Sequence, residues 1–395
     1  MTVQRFKAVI SILVLVALFL GCASEEIRPD KVDIDAKATQ DPKTQDPENQ
    51  DPGTQNPAAF NIQDPRTIIA PPGNGGEGIY IAGVGQNEAG VAVATYWKND
   101  VAVSLASSQS YAYSIAVSGN DIYVVGDFAQ TATCWKNGVA MPLKPNNIYT
   151  NARSIFTSGG DVYIAGSVAA PANGHTYAMY WKNGVAVQLT DSTTYSQAIK
   201  IIVSDNDIYV TGSIYREGKQ YAAYWKNGDL TTLTDGSTYA TANSIAVAGE
   251  DVYAVIDESY YSETIPVAKY WKNGMIINLT DGSSYAKATA IQVLGNDVYV
   301  GGTTGGIYGG SGIATYWRNG IAINNPNDIV KLCHVSSIAV LGEDVYVTGS
   351  VVESPINSSV YAAAKYWKSG VSYTLPMGYD GINNNYAADI RIVKD

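Results

Sequence analysis

The seven tryptophans of this chain all occur in one repeated sequence context, and this regularity restricts the possible folds more than any other feature. Each is followed by Lys or Arg, then by Asn or Ser, and then by Gly or Asp. They are Trp97, Trp135, Trp181, Trp225, Trp271, Trp317 and Trp367, which are 38 to 50 residues apart. A recurring unit of this length indicates an array of similar supersecondary units.

Three further markers accompany each tryptophan. An Ala stands three residues before it, and a Tyr one residue before it in every repeat except that of Cys134. Runs such as "SIAVSGND" and "DVYVTG" lie upstream, and runs such as "VAVQL" lie downstream. All are short alternating or β-branched runs bounded by turn residues, so each repeat predicts four antiparallel strands. Asn-Gly follows the third strand in five of the seven repeats, which favours a type I′ turn.

The two ends of the repeat region complement each other. The chain enters the repeats at a second strand, residues 78–83, and ends with a lone first strand, residues 388–395. Pairing these two segments would complete the seventh unit and leave no open sheet edge. The predicted fold class is therefore all-β, a seven-bladed β-propeller of four-stranded antiparallel blades closed by pairing of the N- and C-terminal strands. In it, Trp is predicted to pack between blades against the Ala and Tyr of a neighbour.

The combination of "DVYVTG"-type strands with A-x-Y-W-K-N-G resembles the bacterial seven-bladed β-propeller repeat proteins. The resemblance covers residues 77–395. Many of those proteins are predicted surface or secreted lipoproteins, so the resemblance implies an envelope location. It implies little about activity, because propellers carry many functions.

The N-terminal residues predict export and lipid anchoring. Arg5 and Lys7 precede an apolar run at 8–20 that ends in Gly21-Cys22, which is typical of a secretory signal. The ending resembles a bacterial lipobox, which implies a signal peptide at 1–21 and lipidation of Cys22 as the membrane anchor. An ordinary cleaved signal is the alternative. Residues 22–76 carry Gln-Asp-Pro repeats every five residues and predict a disordered tether before the propeller domain at 77–395.

Few residues of the sequence point to catalysis or to binding of a metal ion, a cofactor or nucleic acid. The net charge of −11 argues against nucleic acid as a partner. No catalytic, metal or cofactor motif is found; the two histidines, His175 and His334, lie in different repeats, and Cys333 next to His334 is interpreted as a small apolar residue beside a loop histidine. No disulfide is expected between Cys134 and Cys333, which lie in non-adjacent repeats.

Six aspartates open second strands: Asp121, Asp161, Asp207, Asp251, Asp297 and Asp344. An aspartate in this position is predicted to accept hydrogen bonds from neighbouring backbone N–H groups, with calcium binding as the alternative.

The topology predicts one face of short, uniform turns and an opposite face of long, varied loops, where function usually lies. Candidate binding residues on the loop face are the unrepeated Arg216, Glu217, Tyr260 and Tyr261, and the repeated Tyr195, Tyr239, Tyr285, Asp191, Asp235 and Asp281. The repeated residues have a simpler interpretation, which is that they order the links between blades. The predicted function is a non-enzymatic binding or scaffolding module for a protein or glycan partner. The alternative is a glycan-processing enzyme of glycosidase or lyase type that uses loop-face carboxylates.

Overall fold

The computed structural model describes residues 75–143, 149–170, 174–259, 266–305, 312–324, 332–353, 361–376 and 385–394. All of them fall within one compact unit. These residues form 28 strands and no helix. The described part of the chain accordingly contains no helix long and apolar enough to span a membrane.

The strands form seven four-stranded antiparallel sheets, numbered here as blades 1 to 7. Blade 1 is β4 (Ser110–Ser118), β5 (Asp121–Phe128), β6 (Thr131–Lys136) and β7 (Val139–Pro142). Blade 2 is β8 (Thr150–Ser158), β9 (Asp161–Ala169), β10 (Thr176–Lys182) and β11 (Val185–Gln188). Blade 3 is β12 (Ser196–Ser204), β13 (Asp207–Arg216), β14 (Lys219–Lys226) and β15 (Asp229–Thr232).

The remaining blades repeat this pattern. Blade 4 is β16 (Tyr239–Ala248), β17 (Asp251–Ser259), β18 (Lys269–Lys272) and β19 (Met275–Asn278). Blade 5 is β20 (Ala286–Leu294), β21 (Asp297–Thr304), β22 (Ile313–Arg318) and β23 (Ile321–Asn324). Blade 6 is β24 (Leu332–Leu341), β25 (Asp344–Glu353), β26 (Tyr361–Lys368) and β27 (Val371–Thr374). Blade 7 joins β28 (Tyr386–Val393) to β1 (Gly78–Gln86), β2 (Ala92–Lys98) and β3 (Val101–Ser104).

The ring closes through its two ends, as the sequence predicted. β28 pairs antiparallel with β1, with Ile79 opposite Ile392 and Ile81 opposite Ile390. The first strands of neighbouring blades contact one another in an unbroken cycle, from β4 round to β28 and back. The closing strand starts two residues earlier than the predicted 388. The fold is therefore a closed seven-bladed propeller.

Every tryptophan is buried between two blades, which confirms the structural interpretation. Trp135 of blade 1, for example, packs in one cluster with Ala94 and Tyr96 of blade 7. The same arrangement recurs at each interface, where the Trp of one blade meets the Ala and, in six of seven cases, the Tyr of the preceding blade. A large ring against a methyl group sets a constant spacing between blades. Cys134 and Cys333 are both buried, and neither forms a disulfide.

The turns between third and fourth strands have the predicted geometry. At the five Asn-Gly pairs, the Asn φ lies between 45° and 53° and the Gly φ between 81° and 96°. Both values are left-handed, as a type I′ turn requires. These turns and the turns between first and second strands define the turn face of the disc. The described chain also begins at this face, where the Gly75 N–H donates to the Asn120 carbonyl.

The aspartates that open the second strands do not bond the backbone, so that detail of the sequence prediction was wrong. In blade 2, Asp161 accepts from Asn183 Nδ2 at 2.8 Å and pairs with Lys182 Nζ at 2.9 Å. The backbone N–H of Val162 is instead satisfied by Asn183 Oδ1 at 2.8 Å. The Lys182 ammonium also lies 5.3 Å from the centre of the Tyr163 ring. The residues after the Trp therefore form a cross-strand clamp with Asp and Tyr in six blades, whereas blade 7 has Gly78 in place of the aspartate and keeps only the contact of Lys98 with Tyr80.

Candidate functional site

The loop face carries the links between blades, and the repeated aspartates order these links. Asp191 Oδ1 accepts from the backbone and hydroxyl groups of Thr193 and Thr194 at 2.6–3.0 Å. Asp235 and Asp281 accept in the same way from the backbone N–H groups of Ser237 and Ser283. Hydrogen bonds from these Thr and Ser residues lower the pKa of all three carboxyl groups. The geometry of these aspartates matches the simpler interpretation made from the sequence.

The segment 213–221, which the sequence predicted to be a long loop, is mostly strand and contains only a short turn. β13 runs to Arg216 and β14 starts at Lys219, so only Glu217 and Gly218 form the turn. Glu217 has a φ of 51° and Gly218 a φ of 76°, which is again a two-residue hairpin turn. Arg216 and Glu217 are both exposed at its tip. This part of the predicted long loop is therefore a protruding hairpin with a fixed conformation.

Aromatic side chains form a row across the loop face from blade 2 to blade 4. The ring centres of His175 and Tyr195 are 5.6 Å apart, and those of Tyr195 and Tyr215 are 6.3 Å apart. Tyr215 in turn hydrogen-bonds the Tyr239 side chain. Desolvation by burial, followed by this tyrosine neighbour, raises the pKa of Tyr215. Gln197 Nε2 donates to the Tyr195 hydroxyl at 3.1 Å. We call His175, Tyr195, Tyr215 and Tyr239 the aromatic row.

The row unites two of the predicted residues and adds two that the sequence reasoning missed. Tyr195 and Tyr239 were singled out because they recur, whereas His175 and Tyr215 do not recur and were passed over. Tyr285 holds the equivalent position in blade 5, where its carbonyl accepts from the Gly305 N–H at 2.9 Å. Three predicted residues, Cys22, Tyr260 and Tyr261, lie outside the described residues. The hairpin of 213–216 and 219–221 and the strand β17 do belong to adjacent blades, as predicted.

A second polar feature lies at the centre of the ring, and we call it the central belt. Each first strand has a bulge, and the residue after the bulge occupies the same position in every blade. These residues are Ser114, Ser154, Lys200, Ser244, Ala290, Ser337 and Asp389. In three blades the serine Oγ accepts from a backbone N–H of the next blade, for example Ser114 from Ile155 at 3.2 Å.

Lys200 and Asp389 depart from this serine pattern and pair with each other. Lys200 Nζ lies 3.5 Å from Asp389 Oδ1, and blades 3 and 7 are not neighbours, so the pair spans the centre of the ring. Ser114 and Ser337 donate to the same carboxylate at 2.6 and 2.8 Å, and Arg391 lies 3.2 Å from it. Burial raises the pKa of Asp389, but these partners outweigh it and lower that pKa to about 2. Burial also lowers the pKa of Lys200.

His334 lies in strand β24 rather than in a loop, which corrects the sequence interpretation. Burial, together with the nearby Lys287 ammonium, lowers its pKa to about 4, so the imidazole is neutral at pH 7. Its Nε2 atom is buried without a hydrogen-bond partner. Lys287 is paired with Asp257 at 2.7 Å. Within the described residues, no three His, Cys, Asp or Glu side chains are placed to hold a metal ion.

Comparisons with known proteins add little beyond architecture. No family model matches the chain, and no curated protein sequence matches it. Among solved structures, it is similar to Pyrococcus horikoshii acylaminoacyl peptidase (orthorhombic crystal form) and to an acylaminoacyl peptidase in complex with Z-Gly-Gly-Phe-chloromethyl ketone. Both superpositions have 14% identity and a TM-score of 0.44, and cover 75% of this chain and 50% of the other. The chain thus spans about half the length of these structures, and the similarity is one of backbone architecture alone.

Proposed function

We propose that this chain is a lipid-anchored cell-envelope protein whose propeller is a non-enzymatic binding module, with the loop face as its working surface. The observation that carries the proposal is the aromatic row. Its rings are amphipathic, since each joins an apolar face to a hydroxyl or imidazole group, and such rings contribute contact area at a low cost in conformational entropy. Tyr215 and Tyr239 lie in strands β13 and β16, and His175 and Tyr195 each stand one residue before a strand.

A glycan chain is the ligand class that this surface supports best. Three ring centres follow one another at 5.6 and 6.3 Å with tilts of 54° and 59°, so they offer successive apolar patches rather than one flat platform. Gln197, at the start of β12, donates to the Tyr195 hydroxyl and places a polar amide group beside the row. An extended peptide of a protein partner presents similar alternating groups and is the other outcome of the experiment.

The aspartates nearest to the row are already occupied in ordering the links, which favours binding over glycosidic cleavage. Asp191 accepts four hydrogen bonds from its own turn, and hydrogen bonding lowers its pKa. A general acid in a glycosidase needs a raised pKa and a second carboxylate at roughly 5–10 Å across the scissile bond. The enzymatic alternative therefore requires acids other than those of the links.

The experiment is a glycan array run beside a pull-down from envelope extracts, with the full chain carrying Cys22→Ser. Adding Tyr195→Ala and Tyr215→Ala should weaken ligand binding by about 2–3 kcal/mol, as expected for aromatic anchors. Tyr373→Ala is the matched control, because Tyr373 is 38% exposed and Tyr195 37% exposed, but Tyr373 lies on blade 6. Equal binding by the double variant and the parent would refute a role for the row. Tyr260→Ala with Tyr261→Ala tests the sequence prediction in the same assay.

The anchor is tested separately. We expect Cys22→Ser to move the protein from the detergent phase to the aqueous phase in a phase-partitioning assay of cells that make the full chain. The reason is that the thiol of Cys22 is the proposed site of lipid attachment. Metabolic labelling with a fatty acid should mark the parent and not the variant. Labelling of both would place the lipid elsewhere, and labelling of neither would favour an ordinary cleaved signal.

A further inference from the structure

The turn face contains a groove between blades 3 and 4 that the repeat pattern does not explain. Its cavity volume is about 480 Å³. Blade 3 contributes Asp205, Asp207, Tyr209, Tyr224 and Lys226, and blade 4 contributes Gly249, Glu250, Val252, Trp271 and Asn273. The groove lies on the opposite side of the disc from the aromatic row, so it is independent of the proposed function.

One substitution within the repeats lies next to the opening. Thr231 of β15 is paired with Tyr224, a residue that lines the groove. The other six repeats carry an apolar residue in this position: Val103, Met141, Val187, Ile277, Ile323 and Tyr373. Trp271, the tryptophan that follows Thr231 around the ring, is 8% exposed, whereas the other six are at most 2% exposed. A small polar residue at 231 therefore uncovers aromatic surface that the apolar residue covers elsewhere.

A second departure makes the groove acidic. Asp205 occupies a turn position that is glycine in five other repeats, namely Gly119, Gly159, Gly249, Gly295 and Gly342, at φ of 57–60°. Asp205 adopts a φ of 49°, in a region that disfavours residues with a Cβ. A carboxylate is thus held at the rim where the repeat would place no side chain.

The charges of the groove are unbalanced. Three carboxylates and one ammonium line it, for a net charge of −2. Lys226 Nζ is already paired with Asp207 at 2.7 Å and lies 5.3 Å from the centre of the Tyr209 ring. Asp205 accepts a hydrogen bond from the Ser204 hydroxyl at 3.4 Å, and the carboxylates of Asp205 and Glu250 line the groove beside this ion pair. The Tyr224 and Trp271 rings, whose centres are 6.1 Å apart, form the apolar part of the wall.

We propose that this groove binds an alkylammonium group, meaning a primary ammonium on an apolar stem such as a lysine side chain or a diamine. Carboxylates at the rim would pair with the ammonium, and the aromatic wall would receive the methylene stem and add a cation–π contribution. A divalent metal fits less well, because it needs several converging oxygen ligands. The three carboxylates of the groove do not form such a set, since no three Asp, Glu, His or Cys side chains of the described residues are placed to hold a metal ion.

The test uses the full chain carrying Cys22→Ser, labelled with ¹⁵N at tryptophan, which gives a separate indole signal for each of the seven tryptophans. The probes are 1,5-diaminopentane for a free amine, N-acetyl-lysine methylamide for a lysine side chain, and 1,5-pentanediol as the uncharged control. Either amine should shift the indole signal of Trp271, which Trp271→Phe assigns. The shift should weaken as salt is added, because the rim carboxylates are exposed to solvent. Response to one amine alone identifies the source of the group.

Two variants restore the repeat sequence and are therefore expected to fold at least as well as the parent. Asp205→Gly removes the rim carboxylate, and Thr231→Val covers Trp271. Each should lower the affinity for the amine by roughly threefold to tenfold, as should Glu250→Gln. Glu343→Gln is the matched control, since Glu343 holds the position of Glu250 in blade 6. The proposal is wrong if no amine shifts the Trp271 signal, if pentanediol shifts it equally, or if Ca²⁺ alone does so. Unchanged affinity in both restored variants would also overturn it.

Discussion

Single residues that differ from the repeat consensus make the contacts that distinguish one blade of this propeller from another. In the central belt, serine fills four of the seven equivalent positions, and in three of these its hydroxyl accepts a hydrogen bond from a backbone N–H of the next blade. Lysine cannot accept a hydrogen bond, so Lys200 cannot take over that role for blade 4. It extends to Asp389 instead, and two serines and Arg391 complete the coordination of that carboxylate. A buried charge pair of this kind adds specificity more reliably than stability.

The belt predicts a non-additive pair of substitutions. Asp389→Ser should destabilise the fold by roughly 3 kcal/mol or more, because it leaves Lys200 buried without its partner. Lys200→Ser together with Asp389→Ser restores serine at both positions and should recover much of this loss. Urea denaturation of both variants and the parent measures the difference. Additive losses would contradict the pairing, since only interacting residues show such coupling.

The same carboxylate makes stability depend on acid pH. The Asp389 pKa lies at about 2 in the folded protein and at its ordinary value near 3.8 in the unfolded chain. Because the folded pKa is the lower one, the unfolded state binds the proton more readily. The stabilisation is therefore complete above pH 4 and lost as the pH falls toward 2, at most about 2 kcal/mol. The parent should lose more stability over this interval than Lys200→Ser with Asp389→Ser. Parallel losses in the two proteins would contradict it.

At the scale of strands and turns, the clamp explains why the tetrapeptide Trp-Lys-Asn-Gly, or a close variant of it, recurs in every repeat. Asn supplies a left-handed turn residue, an acceptor for the second strand and a donor for its aspartate. Lys bridges the aspartate and the tyrosine ring. One tetrapeptide thus links the second and third strands at the turn face of the blade.

This arrangement predicts that Asn contributes more than the exposed ion pair beside it. Asn183→Ala should cost about 1–2 kcal/mol, because it leaves the Val162 N–H without its acceptor and places a Cβ residue without a polar side chain at a φ of 51°. Lys182→Ala should cost much less, since that pair is largely exposed. Thermal denaturation of the two variants ranks them. The reverse order would show that the ion pair, rather than the turn, holds the strands together.

The strands and turns could be predicted from the sequence because the same pattern occurs in all seven repeats. The alternation of apolar and polar residues and the Asn-Gly turns were sufficient to predict the number of strands and blades. The complementary strands at the two ends were sufficient to predict that the ring closes. Contacts between non-equivalent residues could not be predicted in this way. The aromatic row depends on His175 and Tyr215, which occur once, and on a hairpin that extends β13 and β14 to a two-residue turn. The Lys200–Asp389 pair joins residues of non-adjacent blades, and no local sequence pattern predicts which residues meet across the ring.

At the scale of the whole molecule, the two candidate binding features lie where the repeats differ in sequence. Six Trp interfaces are nearly identical, and the seventh, between blades 3 and 4, is opened by Thr231 and made acidic by Asp205. The aromatic row crosses blades 2 to 4 on the other face. The aromatic row and the groove therefore share one sector of the disc, whereas the closure lies in blade 7 on the other side. The surfaces that we propose for binding are thus separate from the closure.

Closure predicts the largest stability effect in the chain. Deleting residues 386–395 removes β28, and with it the partner of β1, the buried Ala387 and Ile390, and the carboxylate that Lys200 needs. β1 would then become an unpaired inner edge of blade 7. We therefore expect the melting temperature to fall by roughly 5–10 °C or more, with a tendency to aggregate. Deleting only 394–395 is the control and should leave the melting temperature unchanged.

A milder variant keeps this prediction testable if the truncated chain does not fold. Ile390→Ala should cost roughly 2–5 kcal/mol, because the side chain is fully buried between blades 6 and 7. A synthetic peptide of residues 386–393 added to the truncated chain should raise its melting temperature with the logarithm of peptide concentration, since binding to the folded state stabilises it by mass action. If the truncated chain melts with the parent and ignores the peptide, the two ends of the chain do not close the ring.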